Sequence, residues 1–221
     1  MQLSPIQLIA PHYCSSCGAI GELLCEYCKY NIVSEPFEAC ILCHKLARPA
    51  QNLCSSCVAC FTKAWCVGAR NEGLKALVNQ FKFDRVRGAY QPLAELLHAT
   101  LPEFPSDTIV VAIPTIAPHI RIRGYDQTAL VARSFAKLRN LSYESILRRA
   151  TNTVQQGAGR KLRQEQAKLA FAARPCTGRI LLIDDISTTG STIKSAAERL
   201  IEAGASEVWV AVLASQPLEN Q

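Results

Sequence analysis

No run of 18 consecutive apolar residues occurs anywhere in the 221-residue chain, so the sequence offers no membrane-spanning helix. The opening residues, Met1-Gln2-Leu3-Ser4-Pro5, lack both a charged leading region and a long apolar stretch, and they read as no secretory signal. Two common phosphate fingerprints are missing. There is no GxxxxGK followed by Ser or Thr, and no GxGxxG after any strand-like segment. These absences argue against an integral membrane protein, a P-loop nucleotidase and a Rossmann dinucleotide enzyme. Charged residues are sparse at 19%, against 49% hydrophobic residues. That balance excludes a mostly disordered chain.

Cysteine, in contrast, is abundant. Eleven are present, ten of them between Cys14 and Cys66, with Cys176 apart. Without an export signal the expected compartment is the reducing cytoplasm, where clustered thiols more often hold metal than form disulfides. Charge divides at the same place. Residues 1–66 carry four basic and four acidic side chains, so the net charge of +6 belongs to residues 67–221. Two composition regimes predict two domains, 1–66 and 67–221.

The thiols come in four CxxC pairs: Cys14 and Cys17, Cys25 and Cys28, Cys40 and Cys43, Cys54 and Cys57. Eight thiolates fit two closed tetrahedral zinc sites, which are structural because no position is left for water. The pairs can combine sequentially, as two consecutive zinc ribbons, or cross-braced, first with third. The intervening loops of seven and ten residues suit sequential ribbons. His44, beside Cys43, is read as no ligand; Cys60 and Cys66 as packing residues; Cys176 as inert. The segment has few residues for a core of its own, so metal is expected to supply most of its folding free energy.

From residue 67 onward, helix-like and strand-like segments alternate. Helices are expected over 74–83, 92–101, 127–138 and 191–203. Strands are expected over 109–113, 180–183 and 208–213, with a short one at 145–147. This alternation implies an α/β fold with a parallel sheet and flanking helices, whose chemistry lies at the carboxyl ends of the strands. One strand there runs into Asp184-Asp185-Ile186-Ser187-Thr188-Thr189-Gly190-Ser191-Thr192. Two carboxylates can accept hydrogen bonds from vicinal hydroxyls such as those of a ribose. The hydroxyl-rich loop and the helix start after it suit a phosphate.

Residues 184–192 resemble the phosphoribosyl-pyrophosphate (PRPP) motif of type I phosphoribosyltransferases. With the cysteine pairs, Phe81-Lys82-Phe83, Ile113-Pro114, Arg123-Gly124-Tyr125-Asp126-Gln127 and residues 153–163, the whole chain resembles the ComF family. That family joins a double zinc ribbon to a phosphoribosyltransferase-like domain and is associated with DNA uptake in competent bacteria. The resemblance implies that Asp184 and Asp185 bind the ribose hydroxyls. It implies that Ser187, Thr188, Thr189, Gly190, Ser191 and Thr192 enclose the 5′-phosphate, and that Mg²⁺ accompanies PRPP, held largely by the substrate.

Cationic side chains are needed where pyrophosphate departs. Arg121, Arg123, Arg160, Lys161 and Arg163 are the candidates, Arg123 as a catalytic group. The polar, glycine-containing segment 151–163 reads as a mobile loop able to close over substrate. Between His119 and Lys168 eleven basic residues face three acidic ones. That surplus also suits single-stranded DNA, with Phe81, Phe83, Tyr125 and Tyr143 as candidate stacking platforms, of which Phe81 is read as core. Arg133, Lys137 and Arg139 are read as a solvated face. Two functions follow: a PRPP-binding phosphoribosyltransferase-like protein of DNA uptake, or a non-catalytic factor that binds single-stranded DNA or uptake-machinery proteins. No residue identifies the acceptor nucleophile.

Overall fold

A computed structural model describes residues 12–69, 72–150 and 170–216. Its centre is a five-stranded sheet in the order β1-β7-β6-β2-β3, parallel throughout. The strands are β1 (Lys63–Ala69), β2 (Ile109–Ala112), β3 (Ser142–Tyr143), β6 (Arg179–Ser187) and β7 (Glu207–Ser215). Strands β4 (Leu147–Arg149) and β5 (Phe171–Ala173) form a separate antiparallel pair. The helices are α1 (Glu26–Ser34), α2 (Glu72–Lys82), α3 (Tyr90–Thr100), α4 (Ala117–Arg123), α5 (Gln127–Leu138) and α6 (Ser191–Glu202).

The central strands are apolar on both faces because both faces are covered. Successive strand residues point to opposite sides, and the core divides accordingly. Leu181 and Ile183 join the core beneath α2, α3 and α5, while Ile180 and Leu182 join the core shared with α6 and the β4–β5 pair. The helices face inward on their apolar stripes: Leu74, Leu77, Val78 and Phe81 on α2, and Ile193, Ala196, Ala197 and Leu200 on α6. Each fully buried Leu or Ile contributes about 1.5–3 kcal/mol.

The cysteine-rich segment wraps the sheet edge at β1. Cys14, Leu24, Cys28 and Ile32 pack into the first core with Leu93 and Leu97. Cys40, Ile41, Leu53 and Cys54 pack into the second with Val111 and Ile193. One lobe therefore lies on each face, and the edge strand between them is covered. Strand β1 itself crosses residue 66: Cys66 pairs with Val212 of β7, and Gly68 with Ala214. The front segment shares both cores with the sheet instead of building a separate one.

Several elements differ from the expectations. The short strand expected at 145–147 is replaced by β3 and β4 on either side of Ser145 and Ile146. The strand expected to end at Ile183 runs on to Ser187, because β7 continues to pair with it as far as Ser215. Strand β1 and helices α1 and α4 were not anticipated. Among the described residues, no helix is long and apolar enough to cross a membrane.

Candidate functional site

The extension of β6 carries Asp184 and Asp185 to the carboxyl edge of the sheet. Asp185 accepts a hydrogen bond from Gln127 Nε2 at 2.9 Å and an ion pair from Lys82 Nζ at 2.8 Å. Asp184 is almost fully buried, and its Oδ1 accepts from the Asp185 backbone N–H at 2.9 Å. Burial and the neighbouring Asp185 charge push the Asp184 carboxyl up to about 8, although Lys82 and Arg149 act against the shift.

Basic side chains from three elements, α2, α4 and β4, gather around this dyad. Lys82 ends α2. Arg123, at the end of α4, donates from Nε to the Lys82 carbonyl at 2.6 Å and from Nη1 to Gln127 Oε1. It thus ties together both partners of Asp185. Arg149 of β4 is more than half buried, donates to the Pro114 carbonyl at 3.0 Å and places its charge within reach of Asp184. Partial desolvation and the charges of Arg123, Lys82 and Arg149 hold the imidazole of His119, exposed on α4, below its usual range. Arg121 is exposed on α4. Gly124 ends that helix with φ +82°, a left-handed conformation suited to glycine.

Asp126 caps α5 by accepting from the Ala129 N–H, and it holds Thr115 through both backbone N–H (3.2 Å) and hydroxyl (3.0 Å). The loop after β2 is thereby fixed to the start of α5. Tyr125 stacks on Phe81 with ring centroids 5.3 Å apart and donates its hydroxyl to the Phe81 carbonyl.

After Asp185 the chain turns into the hydroxyl loop. Ser187 is buried, whereas Thr188, Thr189, Ser191 and Thr192 are exposed. Gly190 adopts φ +67° as the N-cap of α6, which has no side-chain cap at its cap position. The Ser191 N–H of that first turn reaches Thr189 Oγ1 at 3.4 Å, and the turn opens beside hydroxyl donors that follow directly on the two carboxylates; a helix N-terminus of this kind suits an anion. Thr189 Oγ1 lies 3.1 Å from Ser191 Oγ, and the loop's outer hydroxyls make few other bonds.

The eight paired cysteines gather into two groups, Cys14, Cys17, Cys25 and Cys28, and Cys40, Cys43, Cys54 and Cys57. This is the sequential pairing. Within each group all sulfurs lie within 4.8 Å of one another. Cys17 and Cys25 are 3.6 Å apart, Cys43 and Cys54 3.6 Å, and Cys40 and Cys57 3.9 Å. Four sulfurs at about 2.3 Å from a tetrahedral centre would be about 3.8 Å apart, so the spacing fits such an ion. It is far longer than the roughly 2.0 Å of a disulfide bond. Thiol chemistry fits as well. In the first group burial opposes ionisation of Cys14, yet N–H donors from Cys25, Cys17 and Ser16 bring it down to about 6. Cys28 is relieved by the Ser16 hydroxyl but driven up to about 12 by burial and its three sulfur neighbours. Four thiolates in such a space would need a cation to offset their mutual repulsion.

The remaining thiols are packed away. Burial pushes Cys66 up to about 12 and Cys60 up to about 11, and Cys176 donates to the Leu200 carbonyl.

Of the residues singled out in the sequence, Asp184, Asp185, Arg123 and the 187–192 loop are brought to one edge of the sheet. Arg160, Lys161 and Arg163, with the rest of 151–163, lie outside the described residues. Lys82 and Gln127 stood within noticed motifs, but nothing in the sequence gave them Asp185 as a partner. His119 and Arg149 carried no signal beyond charge. Of the four aromatics considered as platforms, Phe81 and Tyr125 are buried and Tyr143 is half-buried beneath Arg133. Phe83 is 67% exposed, with the Arg123 guanidinium over its ring. Arg139 is committed to Glu103 and to the His98 and Leu101 carbonyls.

Residues 148–220 match the phosphoribosyl transferase domain family. Competence protein F of Haemophilus influenzae is 27% identical over 203 residues, covering 85% of this chain and 88% of that protein. The DNA utilization protein YhgH of Escherichia coli O157:H7 is 27% identical over 216 residues, covering 85% and 94%. Among solved structures, the allosteric regulatory enzyme of purine biosynthesis aligns with a TM-score of 0.40 and 21% identity, over 56% of this chain and 25% of that one.

Proposed function

We propose that this chain, a homologue of Competence protein F that carries a phosphoribosyltransferase domain, binds PRPP at the edge of its sheet and acts in DNA uptake in the bacterial cytoplasm. The observation that carries this reading is the run from Asp184 to the start of α6. Two carboxylates, exposed hydroxyls and a helix end without a side-chain cap follow one another on one rigid strand and its loop. Asp184 and Asp185 would take the ribose hydroxyls. Thr188, Thr189, Ser191 and Thr192, with the Gly190 turn, would take the 5′-phosphate, while buried Ser187 fixes the base of the loop. Lys82, Arg123 and Arg149 lie where cationic charge would favour pyrophosphate, with Arg123 acting through its hold on Lys82 and Gln127. Mg²⁺ would arrive with PRPP and be held mainly by its oxygens.

Zinc is the ion we assign to both cysteine groups, since four thiolates in a closed tetrahedral set favour it. Its role there is structural. On this reading residues 1–66 are the double zinc ribbon and residues 67–221 the phosphoribosyltransferase-like part, with strand β1 crossing between them.

Calorimetric titration with PRPP and Mg²⁺ tests the reading. Saturable binding is expected for the native chain. The pair Asp185→Asn and Thr189→Ala should abolish it in a protein that keeps its fold. Undiminished affinity in that folded variant would contradict the assignment.

A second reading, a factor that binds single-stranded DNA, is favoured by one observation: exposed Phe83 under Arg123 at the rim of the same site. Stacking on such a platform tolerates any base. DNA that binds there should compete with PRPP, and its affinity should fall steeply with salt.

A further inference from the structure

The second cysteine group touches the candidate phosphate loop directly, through its first CxxC turn, Cys40-Ile41-Leu42-Cys43, and the adjoining His44. The buried Ser187 hydroxyl donates to the Ile41 carbonyl at 2.7 Å. His44 has φ +59°, a left-handed turn that returns its ring toward the sheet, where Nε2 lies 3.0 Å from the Thr188 carbonyl. Gly190 rests on Leu42: a Cβ added there would overlap the Leu42 side chain. Three of the four loop residues from Ser187 to Gly190 are therefore seated on one metal-ligand turn. The first cysteine group has its contacts on the other face, where Ser15 donates to Gln80 Oε1 at 2.9 Å.

We infer that the turn at residues 40–44 is a positioning part of the phosphate site, so that metal binding in the second cysteine group and phosphate binding in the 187–192 loop reinforce each other. This deepens the PRPP reading and rests on it. A CxxC turn holds its shape while its two sulfurs share an ion; without the ion the turn loses the constraint that sets Ile41, Leu42 and His44. Anion binding depends on N–H and hydroxyl groups already held in place, so an unsupported loop binds phosphate weakly. Coupling between two sites is reciprocal: if metal strengthens PRPP binding, PRPP must strengthen metal binding by the same factor. The effect belongs to the second group alone, which makes the first an internal control.

The experiment uses the full metal-loaded chain. Transfer of metal to a colorimetric chelator is followed with and without saturating PRPP and Mg²⁺, and each group is observed separately by cadmium-113 NMR after exchange. PRPP should tighten metal retention in the second group by about fivefold or more, shift its cadmium resonance, and leave the first group unchanged. His44→Ala should keep both ions, bind PRPP several-fold more weakly, and lose most of the protection. Leu42→Ala, which removes the side chain under Gly190 and leaves the loop's own residues intact, should do the same. Equal protection of both groups, or of neither while PRPP still binds the native chain, would overturn the coupling and leave the PRPP site standing. Absence of PRPP binding to the native chain would overturn the site reading, and this inference with it.

Discussion

A carboxyl group at the end of a buried strand, next to a second carboxylate, resists ionisation, and Asp184 shows the consequence. Its ordinary value of 3.8 is raised to about 8, first by burial and then by Asp185. The folded chain therefore keeps a proton that the unfolded chain releases between those two values. Stability must fall as pH rises through that window and level off above it. Asp184→Asn removes the titration without changing the side chain's shape. Its melting temperature should exceed that of the native protein by a margin that widens from pH 5 to pH 8.5, while PRPP binding is lost. Parallel melting curves at all pH values would contradict the raised Asp184. The same residue was legible as a ligand candidate from its position after a buried strand. Its protonation was not, because that depends on how completely the tertiary fold buries the carboxyl and on how little Lys82 and Arg149, distant in sequence, offset that burial.

At the scale of elements, strong periodicity was readable and weak periodicity was not. Helix α5 was expected over its observed span because Val131 and Phe135 mark one apolar face. Helix α4 has seven residues and buries none of them, so it leaves no apolar stripe to read. Strand β1, Lys-Ala-Trp-Cys-Val-Gly-Ala, was hidden by the cysteine-rich composition around it. The end of β6 was misplaced because two aspartates look like a turn. Pairing with β7 and the ion pair from Lys82 keep them in the strand.

Asp126 offers a test of how elements are joined at the site. Asp126→Ala should cost about 1 kcal/mol for the lost helix cap, and somewhat more for the freed Thr115. Asp126→Asn keeps an acceptor and should recover most of that loss. Urea unfolding measures both; equal stability of the alanine and asparagine variants would remove the capping account.

Across the whole molecule, the cysteine-rich segment is part of the globule. Cys14 and Cys28 belong to one core, Cys40 and Cys54 to the other, and the covered edge strand β1 lies between them. Composition marked residue 66 as a boundary because it registers thiols and charge. It could not register that the two regions bury their apolar side chains against each other. The purified protein should contain about two zinc ions, each held by four thiolates. Removing them with a chelator should lower the melting temperature of the entire chain in a single transition. A cysteine-rich unit that melts independently of an unchanged sheet would contradict the shared cores.

The central claim is that the chain from Asp184 to Thr192 holds PRPP, and phosphorus-31 NMR of PRPP itself tests it most directly. Stoichiometric native protein with Mg²⁺ should shift or broaden both the 5′-phosphate and the pyrophosphate resonances. The Thr189→Ala, Asp185→Asn variant should leave them as in free PRPP. Resonances unchanged by the native protein, or perturbed equally by the folded variant, would contradict the account.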